Sequence, residues 1–378
     1  MIETPRELGY ILPAEWERHE ATWLAWPQNP DDWPGKFQAI PWLYAEIVRL
    51  VAAHELVHIL VNDPKAERRA RRILKSAGAN LDHVTFHRWP TNRGWTRDSG
   101  PIFVRNPEGR VGLTNWRFNA WAKYSDWQLD DQVPGHVAEL LGLPQWEPSV
   151  RLADGASIGS SVRRLVLEGG SIDSNGAGTL LTTEECLLSG VQQRNPGVSR
   201  EQLEQAFHDF LGIDQVIWLG CGIAGDDTHG HIDDISRFVA HATIVTAVEP
   251  DATDPNHAPQ AENLARLKAA RTPNGKQYNL VEIPLPRPVV FRGQRLPASY
   301  ANFYIANNLV LVPTFHDPND RVALNILAEV FSDREVIGID SVDLVWGLGA
   351  LHCMTQQQPA AHPTDEDPSA GALAALAW

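Results

Sequence analysis

Residues 225–234 read GDDTHGHIDD, so imidazole and carboxylate side chains are concentrated near the middle of the chain. His229, His231 and Asp233 have the donor types and the close spacing that a zinc hydrolase uses. The same His231 and Asp233 also suit a cationic substrate, with the imidazole as general acid and base and the carboxylate accepting N–H groups. This segment alone leaves both chemistries open.

A candidate nucleophile, Cys353, lies in the stretch WGLGALHCMTQQQPA at residues 346–360. It follows a glycine-bearing turn and has polar neighbours on both sides, which favours an accessible thiol over an inert buried one. Cys186 and Cys221 are interpreted as packing residues. Three widely separated cysteines predict neither a disulfide framework nor a metal knuckle, and they favour a reducing cytoplasm.

Three further stretches combine polar and aromatic residues at the ends of apolar runs. They are NRGWTRDSGPIFV at 92–104, WRFNAWAKYSDW at 116–127 and LEGGSID at 167–173. The structural interpretation of each is a turn with Arg97 in a surface ion pair, a tryptophan-rich part of the core, and a capped strand end. The functional interpretation is that all three line one pocket.

The overall charge limits the class of ligand. The 378 residues include 32 basic and 47 acidic side chains, a formal charge of −15. Such a surface repels nucleic acid and anionic lipid and attracts cationic ligands. The first twenty residues lack the pattern of a secretion signal, and no run of 18 apolar residues occurs, so neither export nor membrane insertion is predicted.

Strand-like and helix-like segments alternate along the chain, which predicts the α/β class. Amphipathic helices are predicted around residues 40–53, 65–76, 133–141, 199–212, 260–271 and 321–331. Apolar strands are predicted at 55–63, 100–105, 164–170, 214–220, 238–249 and 307–315. No interior linker interrupts them, so we expect one domain over residues 1–360 and a loosely packed tail over 361–378. The alternation is also compatible with a divergent internal repeat.

Taken in order, several blocks resemble the agmatine deiminase and bacterial-type peptidylarginine deiminase family of guanidine-modifying enzymes, over about residues 10 to 360. The blocks are PAEWERHEATWLAWP, WPGK, WTRDSGP, WRFNAW, LEGGSID, GTLLTTEECLL, GDDTHGHID, ANFYIANNLVLVPTF and LHCMTQQQP. The resemblance implies the pentein fold, a five-bladed α/β propeller with pseudo-fivefold repeats. It also implies a cofactor-free, metal-free hydrolase, and the family precedent points to a homo-oligomer.

Four catalytic roles follow from the resemblance. Cys353 would be the nucleophile and His231 the general acid and base, while Asp98 and Asp233 would grip the guanidinium. A guanidinium is planar and permanently charged, so two carboxylates can orient it by paired hydrogen bonds. We expect an extended backbone at 231–233, which would place His231 and Asp233 on one face and point Ile232 into the core.

Three pocket residues also follow from the resemblance. Glu168 would belong to the pocket, and Trp95 and Asp227 would lie near the far, amine-bearing end of the substrate. Two departures from the agmatine-specific members occur. Where these members commonly have Asn, this chain has His229, and where they have three glycines it reads GLG at 347–349.

The implied reaction is hydrolysis of agmatine to N-carbamoylputrescine and ammonia through a covalent cysteine thiouronium, a step towards putrescine. The additional carboxylates Asp226, Asp227 and Asp234 favour a small dication over a substrate that carries a carboxylate. Deimination of peptidyl-arginine is the alternative within the family. A zinc hydrolase that uses His229 and His231 with Asp233 is the alternative from another class.

Overall fold

The computed structural model describes residues 3–153 and 160–361, so the expected tail lies outside the described residues except for position 361. The helices are α1 Ile40–Val51, α2 Pro64–Ser76, α3 Thr96–Ser99, α4 Val133–Leu141, α5 Glu184–Leu188, α6 Arg200–Leu211, α7 His257–Ala269, α8 Pro318–Val330 and α9 Leu351–Met354. The strands are β1 His19–Ala25, β2 Leu56–Leu60, β3 Val84–His87, β4 Ile102–Arg105, β5 Val111–Thr114, β6 Gln145–Trp146, β7 Ser149–Ala153, β8 Ser160–Arg164, β9 Asp173–Ser174, β10 Thr179–Thr183, β11 Gln215–Leu219, β12 Ser236–Ala240, β13 Thr243–Val248, β14 Asn279–Pro284, β15 Val290–Phe291, β16 Gln294–Arg295, β17 Tyr304–Ala306, β18 Leu309–Thr314, β19 Glu335–Asp340 and β20 Gln356–Pro359.

Five sheets within the described ranges share one plan. Their strand orders are β20-β1-β2-β3, β4-β5-β6, β9-β10-β11, β12-β13-β14 and β17-β18-β19. In each, the first strand is antiparallel to the second, and the second is parallel to the third. A parallel neighbour requires a crossover, and helices α1, α4, α6, α7 and α8 supply it. The divergent repeat is therefore present in the topology.

Local sequence signals explain where the crossover helices begin and end. Ser199 and Gln202 form a reciprocal capping box at the start of α6, and Gly212 ends that helix in the left-handed conformation. In α1 the buried side chains recur at helical spacing, with Tyr44, Ile47 and Val51 on the inner face. Apolar periodicity and caps together account for the agreement with the predicted helices.

Two strand predictions are wrong in detail. The run at 164–170 is not a strand, since β8 ends at Arg164 and Gly169–Ser171 forms a 3-10 turn. The run at 238–249 is a hairpin of β12 and β13 and not one long strand. Both runs contain apolar stretches interrupted by polar residues, and such stretches alone do not show where the chain turns.

The first and last strands meet in one sheet. β20 pairs with β1 from His19 to Trp23, so the two ends of the described chain are held side by side. This pairing brings the segment around Cys353 against the N-terminal part of the fold. Within the described ranges no helix combines the length and the apolar character that are needed to cross a membrane.

Candidate active site

A cavity of about 230 Å³ contains four of the side chains singled out in the sequence. Trp95, Asp98, Asp227 and Cys353 line it. His231 lies directly behind Asp98, with His231 Nδ1 3.7 Å from Asp98 Oδ1. The structure therefore brings together residues from the first third, the middle and the end of the chain.

The central side chains come from the five segments that immediately precede the first strand of each sheet. Asp98 lies before β4, Glu168 before β9, Asp233 before β12, Asn302 before β17 and Cys353 before β20. Each unit of the repeat thus contributes one residue to the same place. Asn302 was missed in the sequence because an asparagine within an apolar block resembles an ordinary turn residue.

Cys353 lies in the short helix α9 and its residue is only 5% exposed. Asn302 Nδ2 donates to the Cys353 sulfur at 3.1 Å, and the sulfur lies 3.7 Å from Asp233 Oδ2. Burial raises the pKa of the Cys353 thiol well above its usual value, and the nearby carboxylates Asp233 and Asp234 add to the rise. Without a bound cation the sulfur is therefore a thiol.

His231 is enclosed and surrounded by acids. Its Nδ1 lies 3.7 Å from Asp98 Oδ1 and 4.0 Å from Asp233 Oδ1, contacts that are longer than hydrogen bonds. Burial opposes the charged imidazole, but Asp98, Cys186 and Asp233 together outweigh it and hold the pKa of His231 well above the usual value. Burial raises the pKa of Asp98 to about 6, against the opposing charge of His231. At neutral pH the pair is imidazolium and carboxylate.

Contacts with His352 keep the Asp233 carboxylate ionised. His352 Nδ1 donates to Asp233 Oδ2 at 2.7 Å, and His352 Nε2 donates to Glu15 Oε2 at 2.7 Å. Burial would raise the pKa of Asp233, but the hydrogen bond and charge of His352 lower it. Its other oxygen, Oδ1, is buried without a hydrogen-bond partner among the described residues. Asp233 does not itself line the cavity, and its Oδ1 is a hydrogen-bond acceptor, unused within the described ranges, that lies close to residues that do.

Glu15 and His352 support the Asp233 carboxylate, and the sequence did not reveal them. Glu15 also receives Arg237 at 2.8 Å and Arg97 at 3.3 Å. Burial would raise the pKa of Glu15, but Arg237 and His352 hold it well below its usual value. The interpretation of Arg97 as a surface ion pair is therefore wrong, because this side chain is buried against Glu15. No local pattern could have paired residues so far apart in sequence.

Glu168 does not line the cavity. It is fully buried, and its Oε1 receives Arg194 Nε at 3.0 Å. Its carboxylate, Cys186 and His231 offer donor atoms within 4.8 Å of one another, the group of three that could hold a metal within the described ranges. Glu168 and Cys186 therefore lie close to the His231 imidazole.

The ligands predicted for zinc are not assembled. His229 turns away from the cavity, with its Nε2 3.2 Å from Ser189 Oγ and its Nδ1 3.9 Å from Glu185 Oε1. The predicted extended backbone at 231–233 is also wrong, since Ile232–Asp234 forms a 3-10 turn. This turn still buries Ile232 in the core and keeps His231 close to Asp233.

The two departures from the agmatine-specific pattern share a backbone property. His229 has φ 65° and Leu348 has φ 67°, the left-handed region that glycine and asparagine tolerate best. Leu348 lines the cavity, and its neighbours Gly347 and Gly349 lie against Trp95. A Cβ at Gly349 would come within 2.8 Å of the Trp95 ring. The glycines therefore let the loop pack closely onto the indole.

Gly170 offers a direct test of the site's packing. A Cβ at this position would lie 2.6 Å from His231 Nδ1, 2.8 Å from Asp98 Oδ1 and 3.0 Å from Asp233 Oδ2. We expect Gly170→Ala to lower the catalytic rate by about a hundredfold or more, because displacements near 1 Å cost that much. The measurements are the steady-state rate of the catalysed reaction and the midpoint temperature of thermal unfolding.

Gly190→Ala is the matched control, since a Cβ there meets no atom of the described residues within 4 Å. It should retain the turnover of the unmodified protein. A folded Gly170→Ala variant with undiminished turnover would contradict the inference that the site has no room for a side chain at this position.

Comparison with known proteins agrees with this geometry. Residues 11–359 match the Porphyromonas-type peptidyl-arginine deiminase family. The chain belongs to this family. It is 35% identical over 384 residues to an agmatine deiminase of Stutzerimonas stutzeri, covering 95% of this chain and 98% of that one.

Solved structures agree as well. An agmatine deiminase of Enterococcus faecalis superposes with a TM-score of 0.85 at 30% identity, covering 96% of this chain and 99% of that one. A C. jejuni agmatine deiminase with substrate bound superposes with a TM-score of 0.79 at 28% identity, covering 92% and 96%. The α/β class and the pentein fold that the family resemblance implied are thereby confirmed.

Proposed function

We propose that this chain is an agmatine deiminase, a hydrolase that converts agmatine and water to N-carbamoylputrescine and ammonia. One observation carries the proposal. The carboxylates of Asp98 and Asp233 meet the Cys353 sulfur and the His231 imidazole beside a cavity of about 230 Å³. The family membership and the agmatine deiminases among its relatives support the same reaction.

The guanidinium is held first. Asp233 Oδ1, which has no hydrogen-bond partner within the described ranges, accepts one of its N–H groups. Asp98 accepts the Gly170 amide at 3.1 Å and the Trp121 indole N–H at 2.8 Å, which fix the carboxylate in one orientation. A carboxylate oxygen has capacity for more than one donor, so Asp98 can also receive the substrate.

The cation then activates the sulfur. Its charge offsets the carboxylates that keep the Cys353 thiol protonated, so the thiol releases its proton to water and the thiolate attacks the guanidinium carbon. His231 as imidazolium protonates the departing nitrogen, and ammonia leaves. A covalent thiouronium on Cys353 remains.

The second half reverses the role of His231. The now neutral imidazole takes a proton from water, and the resulting hydroxide attacks the same carbon. The hydroxyl proton of the adduct passes to the sulfur as the carbon–sulfur bond breaks, which releases the ureido product and restores the Cys353 thiol. Glu168 and Cys186 lie beside the imidazole ring, and we assign no cofactor or metal to either half-reaction.

The cavity suits a short dication better than a peptide. Its volume is below the roughly 300–1,000 Å³ of sites for drug-sized ligands. Asp31 and Asp227 line it near solvent, where a substrate carboxylate would meet like charge. Trp95 supplies an apolar wall for the methylene chain. Peptidyl-arginine remains the second candidate, because the family bears that name.

A substrate panel tests the proposed function. We expect kcat/KM for agmatine to exceed that for free arginine and for an arginine peptide by about a hundredfold or more. The carboxylate of free arginine would meet like charge, which costs several kcal/mol, and a peptide chain is larger than the cavity. Ammonia and ureido product are measured in parallel. Faster deimination of the peptide would replace the proposal with the second candidate, and no ammonia from any of the three would refute deimination.

The arrangement of the five sheets is part of the proposal. We propose that they are the blades of a five-bladed propeller and form one catalytic domain over residues 1–360. The repeated strand order and the contribution of one residue from each unit to the site support this arrangement. A homo-oligomer in the cytoplasm remains our expectation from the sequence and the family precedent.

A further inference from the structure

A lysine at the cavity mouth forms an ion pair with the carboxylate that we assign to the ammonium group of the substrate. Lys123 Nζ makes a short ion pair with Asp227 Oδ1, and the Tyr124 hydroxyl donates to Asp227 Oδ2 at 2.7 Å. The side chains of Lys123 and Asp227 are 38% and 19% exposed. Both oxygens of this carboxylate therefore already have partners before a ligand arrives.

The backbone holds Lys123 in this place. Ala120, Trp121 and Ala122 are consecutive residues in the left-handed region, with φ of 50°, 59° and 54°. Such a run is disfavoured for residues with a Cβ and persists where surrounding contacts impose it. Asn119 Oδ1 accepts the Ala122 amide at 2.9 Å and closes the turn. The turn directs Trp121 towards Asp98 and Lys123 towards Asp227.

The two segments that form the ion pair are also joined directly. Gln192 Nε2 donates to the Trp121 carbonyl at 3.2 Å and to the Asp227 carbonyl at 3.0 Å. Gln192 therefore links the left-handed turn to the loop that carries Asp227. The contact between Lys123 and Asp227 is therefore held in place by the surrounding fold.

The other charges near the mouth leave Asp227 as the natural partner for a second cation. Arg93 lines the cavity, but it is bound to Asp32 at 2.9 Å and to Asp126 at 2.9 Å. With Arg93 paired in this way, the mouth retains the carboxylates of Asp31 and Asp227 and the ammonium of Lys123. This balance is negative, so a ligand ammonium can replace the lysine.

We propose that Lys123 is an intramolecular competitor for the ammonium-binding carboxylate Asp227 and thereby sets the affinity of the site for the diamine tail. The inference rests on the proposed function. A primary ammonium on a flexible tether has the same chemistry as the terminal amine of agmatine. Agmatine therefore binds fully only to the fraction of molecules in which Lys123 has released Asp227, which weakens its apparent affinity.

The test compares two ligands in the Cys353→Ser background, which prevents turnover during binding. Agmatine and butylguanidine share the guanidinium and the four-carbon chain, but only agmatine has the amine. We expect Lys123→Met to tighten agmatine binding by about two- to fivefold, the range of a partly exposed ion pair, and to leave butylguanidine nearly unchanged. In the otherwise unmodified enzyme, KM for agmatine should fall while kcat stays the same.

Lys268→Met is the matched control, because Lys268 also pairs with an acid, Glu282 at 3.7 Å, away from the cavity. It should alter neither ligand's affinity. Equal tightening of both ligands, unchanged agmatine binding, or weaker agmatine binding after Lys123→Met would each overturn the proposal. Loss of free-arginine binding in that variant would identify Lys123 as a carboxylate receptor instead. Failure of the enzyme with intact Cys353 to release ammonia from agmatine refutes the proposed function separately.

Discussion

Replacement of Cys353 with serine is expected to lower ammonia release from agmatine by about a thousandfold or more. Removal of a nucleophile abolishes the covalent route and leaves only the contribution of binding and positioning. Serine keeps the size of the side chain and can still accept the hydrogen bond from Asn302, so the fold should persist. Ammonia release, thermal unfolding and agmatine affinity are the measurements.

Cys221→Ser is the matched control, since Cys221 is an exposed free cysteine outside the cavity, and its interpretation as a packing residue is wrong. It should keep full activity. A haloacetamidine, which carries the amidinium cation and a leaving group, should label Cys353 in the unmodified protein and leave the Cys353→Ser variant unlabelled at the site. Comparable turnover in the serine variant would disprove the proposed mechanism.

Replacement of His231 with asparagine should lower kcat by about a hundred- to ten-thousandfold, the usual contribution of a general acid and base. In the proposed mechanism the imidazole protonates the leaving nitrogen and then deprotonates water, so without it both half-reactions lack their proton carrier. The raised pKa of His231 ensures that the resting enzyme holds the proton that the first half-reaction uses. Single-turnover kinetics with quantification of the covalent adduct report on each half-reaction.

His229→Asn provides the control two residues away. His229 contacts Ser189 and Glu185 outside the cavity, so its loss should change kcat by less than about twofold. A zinc hydrolase with His229 as a ligand predicts the opposite, namely that both histidine variants and treatment with a chelator abolish activity. Loss of activity in His229→Asn alone would contradict the assignment of His231.

Local sequence signals were sufficient for the crossover helices, whereas the short helices α3, α5 and α9 were not predicted. The capping box at Ser199 and the glycine at 212 delimit α6 in agreement with the predicted range 199–212, because caps and apolar periodicity act within a few residues. The strand predictions were less successful at 164–170 and 238–249. There short apolar stretches indicated strands, but such stretches alone do not show where the chain turns.

Part of the chemistry of the site could be predicted from the sequence. Cys353, Asp98, Asp233 and His231 stand in blocks that resemble a known family, and they meet in the structure. The ionic interactions that stabilise the charged Asp233 side chain could not be predicted from the sequence. Its partner His352 and the distant Glu15 are joined only when β20 pairs with β1.

The sequence by itself determined the α/β class, the crossover helices and the residue types available for chemistry, because these depend on contacts between near neighbours along the chain. The tertiary structure decided which of those residues share a site. Five segments before the first strands of five sheets meet at this site. Lys123 contacts Asp227, which lies 104 positions further along the chain. Burial and charge set the protonation of Cys353 and His231, and both arise only when segments distant in sequence exclude water together.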